Sequence, residues 1–241
     1  MTELRTAPHP AVADLSVAAV AYLGAVVVIA GPSLPDGGGA FLAVGAGAAV
    51  LAGAGANLLG RAVPSCTPAD RVTLARAVLV ACAAALTMSG LLTGGPSGLP
   101  LLAVGTAAFA LDAVDGPVAR RTGTASADGA RLDTSTDAAL TLVLACAVAG
   151  TLGLWVLGSG LLYYVFQAAG RFRPSLRAPL PPSAARKVIG ALQPAALLFA
   201  LVPGIPGPAA TAAVAAALCL LVLSFGRDVV VLERRRRPSA G

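Results

Sequence analysis

The sequence predicts an all-α integral membrane protein with eight spans. Three observations predict it. Of the 241 residues, 57% are hydrophobic and 12% charged, and the mean hydropathy is +0.83; in a soluble domain about a quarter are charged. Eight apolar runs can be marked, near 15–31, 40–60, 72–93, 99–118, 133–151, 154–170, 187–204 and 207–226. All 17 lysines and arginines fall in alternate connections between those runs, or at the adjoining ends. Runs of this length suit a hydrocarbon layer of about 30 Å. Lipid forces each span to satisfy its backbone internally, which here means helix.

Taken in order, the first run lacks a strong basic leader and another run follows closely. It therefore reads as a span, not a cleaved signal. The turn GPSLPDGGG leads to the second run, which carries Gly45, Ala49 and Gly53 at four-residue steps. Such a small-residue ridge lets helices approach closely. In a chain this rich in Ala and Gly, ridges also arise from composition alone; as a functional feature, this one is a docking or dimerisation surface, and a homodimer is expected.

The third run is led in by T-P-A-D-R-V-T-L-A-R, which ends on Arg76. That arginine can snorkel to the interface or reach an anionic ligand. TGGPSGLP turns the chain into the fourth run, whose far end holds Asp112 and Asp115. The fifth opens with Asp133 and Asp137, and Asp128 is the expected N-cap of a helix starting near Gly129. Trp155, Tyr163 and Tyr164 in the sixth suit a membrane interface. The connection from Arg171 to Lys187 sets Arg171, Arg173, Arg177, Arg186 and Lys187 among prolines that restrict it. It reads either as a positive border or as a site for an acceptor that carries phosphate. VPGIPGP joins the last two runs, and the chain ends in a tail containing Arg234 to Arg237.

With alternating spans, one side receives the N-terminus, 61–71, 119–132, 171–187 and the C-terminus. The positive-inside rule makes that side cytoplasmic. Both termini and the aspartates are therefore expected in the cytoplasm of a multi-pass protein of the cell membrane. The net charge of +6 does not imply nucleic acid, because the cations lie at membrane borders. Topology and anionic headgroups account for them. Cys66, Cys82, Cys146 and Cys219 follow no metal-binding spacing, and no disulfide is expected. His9 is the one histidine and lies in the polar N-terminus, so imidazole chemistry is not expected in the spans.

The chemistry concentrates between Asp112 and Asp137, D-A-V-D-G-P-V-A-R-R-T-G-T-A-S-A-D-G-A-R-L-D-T-S-T-D. Carboxylates at the ends of apolar helices are expensive and point to function. Asp112, Asp115 and Ala119 share a helix face; Gly129, Asp133 and Asp137 form a second stripe at four-residue steps. Two helices joined by a turn can aim these stripes at each other. Clustered carboxylates repel unless a cation intervenes. All-oxygen ligands suit Mg²⁺, Mn²⁺ or Ca²⁺. Gly116 and Gly129 leave bare backbone for a close approach, and Arg120 offers a forked donor to phosphate. Together these read as a pyrophosphate site.

The pattern D-x2-D-G-x2-A-R-x8-G-x3-D-x3-D resembles the signature of the CDP-alcohol phosphotransferase family at every fixed position. The resemblance implies a six-helix core, here with two extra N-terminal transmembrane helices. The chain then divides into residues 1–62 as extension, 63–232 as catalytic membrane domain and 233–241 as basic tail. It implies a transferase of phospholipid biosynthesis that moves a phosphatidyl group from CDP-diacylglycerol to a polar alcohol and releases CMP. Mg²⁺ or Mn²⁺ is the implied cofactor, with Asp112, Asp115, Asp133 and Asp137 around the metal and Asp137 also as base. Gly116, Ala119, Arg120, Gly129 and Arg76 are the implied contacts of the CDP donor. The segment P-P-S-x3-K-x5-Q, with Lys187 and Gln193, also resembles the family, though Arg186 stands where Gly is common. Arg173, Arg186 and Lys187 are candidates for acceptor phosphate, such as that of glycerol 3-phosphate or an inositol phosphate. The competing classes are a transporter, since intramembrane carboxylates also line ion paths, and a non-catalytic scaffold.

Overall fold

The computed structural model describes residues 10–61, 66–95, 98–121, 123, 126–172 and 183–236; the side chains of 10, 113–121, 171, 184 and 231–236 lie outside the description. Among the described residues there are eight α-helices and no strand: α1 Pro10–Ala25, α2 Gly38–Leu59, α3 Pro68–Thr93, α4 Gly98–Arg121, α5 Ala127–Leu152, α6 Gly158–Phe172, α7 Ala184–Leu201 and α8 Gly207–Arg236. Each apolar run falls on one helix. Several helices outrun their apolar stretch: α3 begins at Pro68, α5 at Ala127, and α8 continues to Arg236. Hydrophobicity marks the hydrocarbon depth, whereas backbone hydrogen bonding continues into the polar zone.

Among the described residues, five helical segments are long and apolar enough to cross a membrane: Ala11–Ser33, Gly38–Leu59, Pro68–Thr93, Ala127–Leu152 and Gly207–Val230. The apolar parts Gly98–Asp112 and Leu154–Gly170 are shorter. The first segment ends in a π-helical turn, Val26–Ala30, and a 3-10 turn, Gly31–Ser33. Pro32 has no N–H to continue the ladder, and the last turns regroup around it.

The chain forms two compact units, Met1–Leu140 and Thr141–Gly241. In the first, α3 is the central helix, with α1, α2 and α4 packed against it. Its composition explains the position. Ala77, Ala81, Cys82, Ala83, Ala84 and Ala85 are all buried, so neighbours come close on several sides. The closest approach is at Gly47 of α2, where a Cβ would overlap the Tyr22 hydroxyl and the Ala81 carbonyl oxygen. Tyr22 Oη donates to the Val44 carbonyl at 2.7 Å, tying α1 to α2. The Ser89 hydroxyl donates to the Ser33 carbonyl, tying the end of the first span to α3. Gly45, Ala49 and Gly53 are all exposed on another face of α2. The inward small residues are Ala43, Gly47, Ala54 and Gly55.

Local caps fix the starts of the two helices α3 and α5. Thr67 and Asp70 form a capping box at the start of α3: Thr67 Oγ1 accepts from the Asp70 N–H at 3.2 Å, and Asp70 Oδ2 accepts from the Thr67 N–H at 2.8 Å. Pro68 occupies the first helical position, where a missing N–H costs nothing. At α5 the cap is Ser126, whose Oγ accepts from the Gly129 N–H at 3.0 Å. This corrects the expectation for Asp128. The helix begins one residue before it, so Asp128 lies in the first turn, exposed and 3.5 Å from Arg131. There it favours the helix dipole without capping the end.

In the second unit, α7 and α8 pack together and α6 contacts α8. Gln193 Nε2 donates to the Ala217 carbonyl at 2.7 Å. Phe166 and Phe225 meet edge to face at 5.2 Å. Gly160 lets α6 approach α5 so closely that a Cβ would lie 2.5 Å from the Leu142 Cα. Cys66, Cys82, Cys146 and Cys219 are free thiols.

Candidate active site

Three helices of the first unit carry charged residues to one point. Arg76 lies in the third turn of α3, and its side chain is fully buried. Its Nη1 donates to Asp112 Oδ1 of α4 at 2.6 Å. Its Nη2 donates to Asp133 Oδ1 of α5 at 2.5 Å and to the Asp133 carbonyl at 3.3 Å. Asp137 Oδ1 lies 3.2 Å from the same nitrogen. The three carboxylate side chains are 36%, 37% and 44% exposed, while the arginine is 0% exposed. The guanidinium is thus the floor of the site and the carboxylates are its open side. A snorkelling role for Arg76 does not fit that burial.

One oxygen from each of Asp112, Asp133 and Asp137 lies within 4.8 Å of the others. The guanidinium neutralises one of the three charges and leaves two. That donor set fits a divalent, oxygen-preferring cation. Oxygens bound side by side on one Mg²⁺ lie about 3 Å apart for bonds of ~2.1 Å, so the three carboxylates would close up around an ion. Cys66 is not an alternative nucleophile. Burial, with the nearby Asp14 carboxylate second, pushes the Cys66 thiol up to about 12, so no thiolate forms there at neutral pH.

The other expected site residues divide by location. Asp115, Gly116, Ala119 and Arg120 lie on the last turns of α4, and their side chains fall outside the described residues. Gly129 lies in the first turn of α5, and a Cβ there would stand 3.1 Å from Ser126 Oγ and 3.7 Å from Asp70 Oδ1. Arg173 is outside the described residues. In the second unit, Arg186 opens α7 and pairs with Asp228 of α8 at 3.3 Å, while Lys187 beside it is exposed. Sequence reasoning missed Asn57, Arg61 and Asp70. The pattern Thr67-x-x-Asp70 was a legible capping signal; the partners of Asn57 and Arg61 are 78 and 9 residues away and had no local sign.

A family model described as CDP-alcohol phosphatidyltransferase matches residues 66–230, more than half of the chain. The chain belongs to that family. No curated protein and no solved structure matches it. Phosphatidyltransferases of this family act with CDP-alcohol substrates in phospholipid synthesis, at membranes, and are in general metal-dependent. The matched segment contains α3 to α7, most of α8, and Arg76, Asp112, Asp133 and Asp137. Helices α1 and α2 precede it.

Proposed function

We propose that this phosphatidyltransferase moves a phosphatidyl group from CDP-diacylglycerol to the hydroxyl of a polar, phosphorylated alcohol and releases CMP. The observation that carries the reading is the cluster of Asp112, Asp133 and Asp137 around buried Arg76, inside the matched segment. Asp112, Asp133 and, one turn from Asp112, Asp115 would hold Mg²⁺ or Mn²⁺ and the donor diphosphate. A divalent ion there supplies charge neutralisation for the diphosphate. Asp137 takes the proton of the attacking hydroxyl. The new bond joins the acceptor oxygen to the phosphorus that carries diacylglycerol. The bond from that phosphorus to the bridging oxygen breaks, and CMP leaves with that oxygen. Gly116, Ala119, Arg120 and Gly129 would line the CDP part, with bare backbone at the glycines. Arg76 acts through the carboxylates it holds.

Purified protein given CDP-diacylglycerol and a panel of acceptors should release CMP with Mg²⁺ or Mn²⁺, and release should stop with excess EDTA. Full turnover after removal of bound metal would refute the metal role. Within the panel, glycerol 3-phosphate or an inositol phosphate should be preferred to serine. Arg173→Ala, Arg186→Ala and Lys187→Ala should raise the acceptor's KM more than the donor's. Unchanged acceptor KM in all three variants would leave this connection as a topology signal only.

The reading includes eight spans, cytoplasmic termini and a cytoplasmic site, supported by the one-sided cations. It also includes a homodimer, for which the exposed Gly45, Ala49 and Gly53 ridge is the available surface. Single cysteines placed in residues 32–38 of a cysteine-free protein should react with impermeant maleimide only from the outside. Labelling from the cytoplasm alone would reverse the topology.

A further inference from the structure

Helix α2 lies outside the family-matched segment. Its side chains nevertheless reach the helices that bear the site. Asn57 Nδ2 donates to Ser135 Oγ at 3.3 Å. Ser135 stands between Asp133 and Asp137 on α5. Arg61, just past the end of α2, grips Asp70 through two bonds of 2.8 Å, Nη1 to Oδ2 and Nη2 to Oδ1. Those side chains are 6% and 2% exposed. The same Asp70 carboxylate accepts from the Thr67 N–H and hydroxyl, so it also closes the first turn of α3. Between these two polar ties, Ala54 and Leu58 of α2 join one apolar cluster with Leu74 and Ala77 of α3 and Leu132 of α5. Leu74 and Ala77 lie on either side of Arg76 in sequence, and Leu132 precedes Asp133.

We propose that α2 is a positioning element of the active site, with Asn57 and Arg61 as its positioning residues. This rests on the reading of the aspartate cluster as a metal site. The reasoning is geometric. Arg76 and Asp133 sit on different helices, and their 2.5 Å contact depends on how α3 and α5 are spaced and rotated. Leu58 belongs to the apolar cluster that both helices enter, Arg61 ties to the start of α3, and Asn57 ties to α5 at the turn between its two carboxylates. A ligand set works only within about half an ångström of its productive geometry. Groups that orient ligands without touching the ion typically matter by about 10- to 100-fold in metal affinity. Helix α2 is then part of the catalytic machinery's support rather than an appendage to it.

Mn²⁺ binding followed by electron paramagnetic resonance on the full-length chain in nanodiscs tests this without needing turnover. Asn57→Ala and Arg61→Gln should each weaken Mn²⁺ binding, with at least one of them reaching roughly 10-fold. The Mn²⁺ concentration needed for half-maximal CMP release should rise by the same factor. Arg61→Lys should recover part of the loss, because it restores the charge without the fork. Leu42→Ala, at an exposed position of the same helix, should change neither quantity. Melting without metal identifies any variant that is simply unfolded. Asn57 is exposed, so its truncation keeps the test open if Arg61→Gln fails to fold. Unchanged Mn²⁺ affinity per folded molecule in Asn57→Ala, and in Arg61→Gln if it folds, would overturn the proposal. A wild-type chain that binds no Mn²⁺ overturns both this proposal and the metal site. A wild-type chain that binds Mn²⁺ but releases no CMP refutes the transfer reaction alone, and the affinities still decide the role of α2.

Discussion

Asp137→Asn is expected to lower turnover by a factor on the order of 10²–10⁴, the usual contribution of a general base, while donor binding largely survives. Asn keeps the size of the side chain and removes both its charge and its proton affinity. Asp137 lies one helical turn past Asp133, a rise of roughly 6 Å along α5, and is the most exposed of the three carboxylates. It is also the one held farthest from Arg76, at 3.2 Å against 2.6 and 2.5 Å. Those features suit a group that meets an incoming hydroxyl. Asp112→Asn and Asp133→Asn should behave differently, because each removes a charge from the tightest part of the cluster. They should weaken metal-dependent binding of CDP-diacylglycerol along with turnover. Calorimetry with donor and Mg²⁺, run beside a CMP-release assay, separates the two patterns. Near wild-type turnover in Asp137→Asn would remove the base assignment. Loss of donor binding as complete as in Asp112→Asn would make Asp137 a metal ligand first.

How much of this was legible in the sequence depended on the range of the interaction. The eight helices were legible because Pro- and Gly-rich turns such as TGGPSGLP and VPGIPGP interrupt long apolar runs. Their ends were not, because Ser126 and Thr67 set them through local caps in polar segments. The meeting of Asp112 with Asp133 and Asp137 was legible because strict three- and four-residue steps put each set on one helix face. The counter-charge was only half legible. Arg76 stood out as a cation at a membrane border, but its partners lie 36 and 57 residues away. Nothing in its neighbourhood distinguishes a residue that meets a ligand from one that gathers carboxylates. The ridge on α2 shows the same limit. Gly45 and Gly47 are equivalent by composition, and only packing decides that Gly47 meets Ala81 while Gly45 faces outward.

Arg76→Met is expected to destabilise the metal-free protein strongly and to make its stability depend on divalent cation. Methionine fills much of the buried volume and removes the charge. Three carboxylates with oxygens within 4.8 Å are then left without their shared cation. At an effective dielectric near 20, two such charges repel by about 3 kcal/mol. Each carboxylate here is more than a third exposed, so water screens part of that. A net cost of roughly 2–4 kcal/mol remains reasonable beside the 3–5 typical of breaking a fully buried pair. Mg²⁺ should restore most of the lost melting temperature, and its stabilising effect should exceed that in the wild type. The variant should still turn over at least about tenfold more slowly, because the fork that aligns Asp112 with Asp133 is gone. Arg76→Lys should retain more of the metal-free stability than Arg76→Met, since it keeps a point charge, but remain slow for the same geometric reason. The measurement is thermal unfolding in EDTA and in Mg²⁺ for the three proteins, alongside CMP release. Equal melting of Arg76→Met and wild type in EDTA would show that the guanidinium does not hold the carboxylates together. Wild-type turnover in Arg76→Lys would show that charge alone, without the fork, is enough to arrange the site.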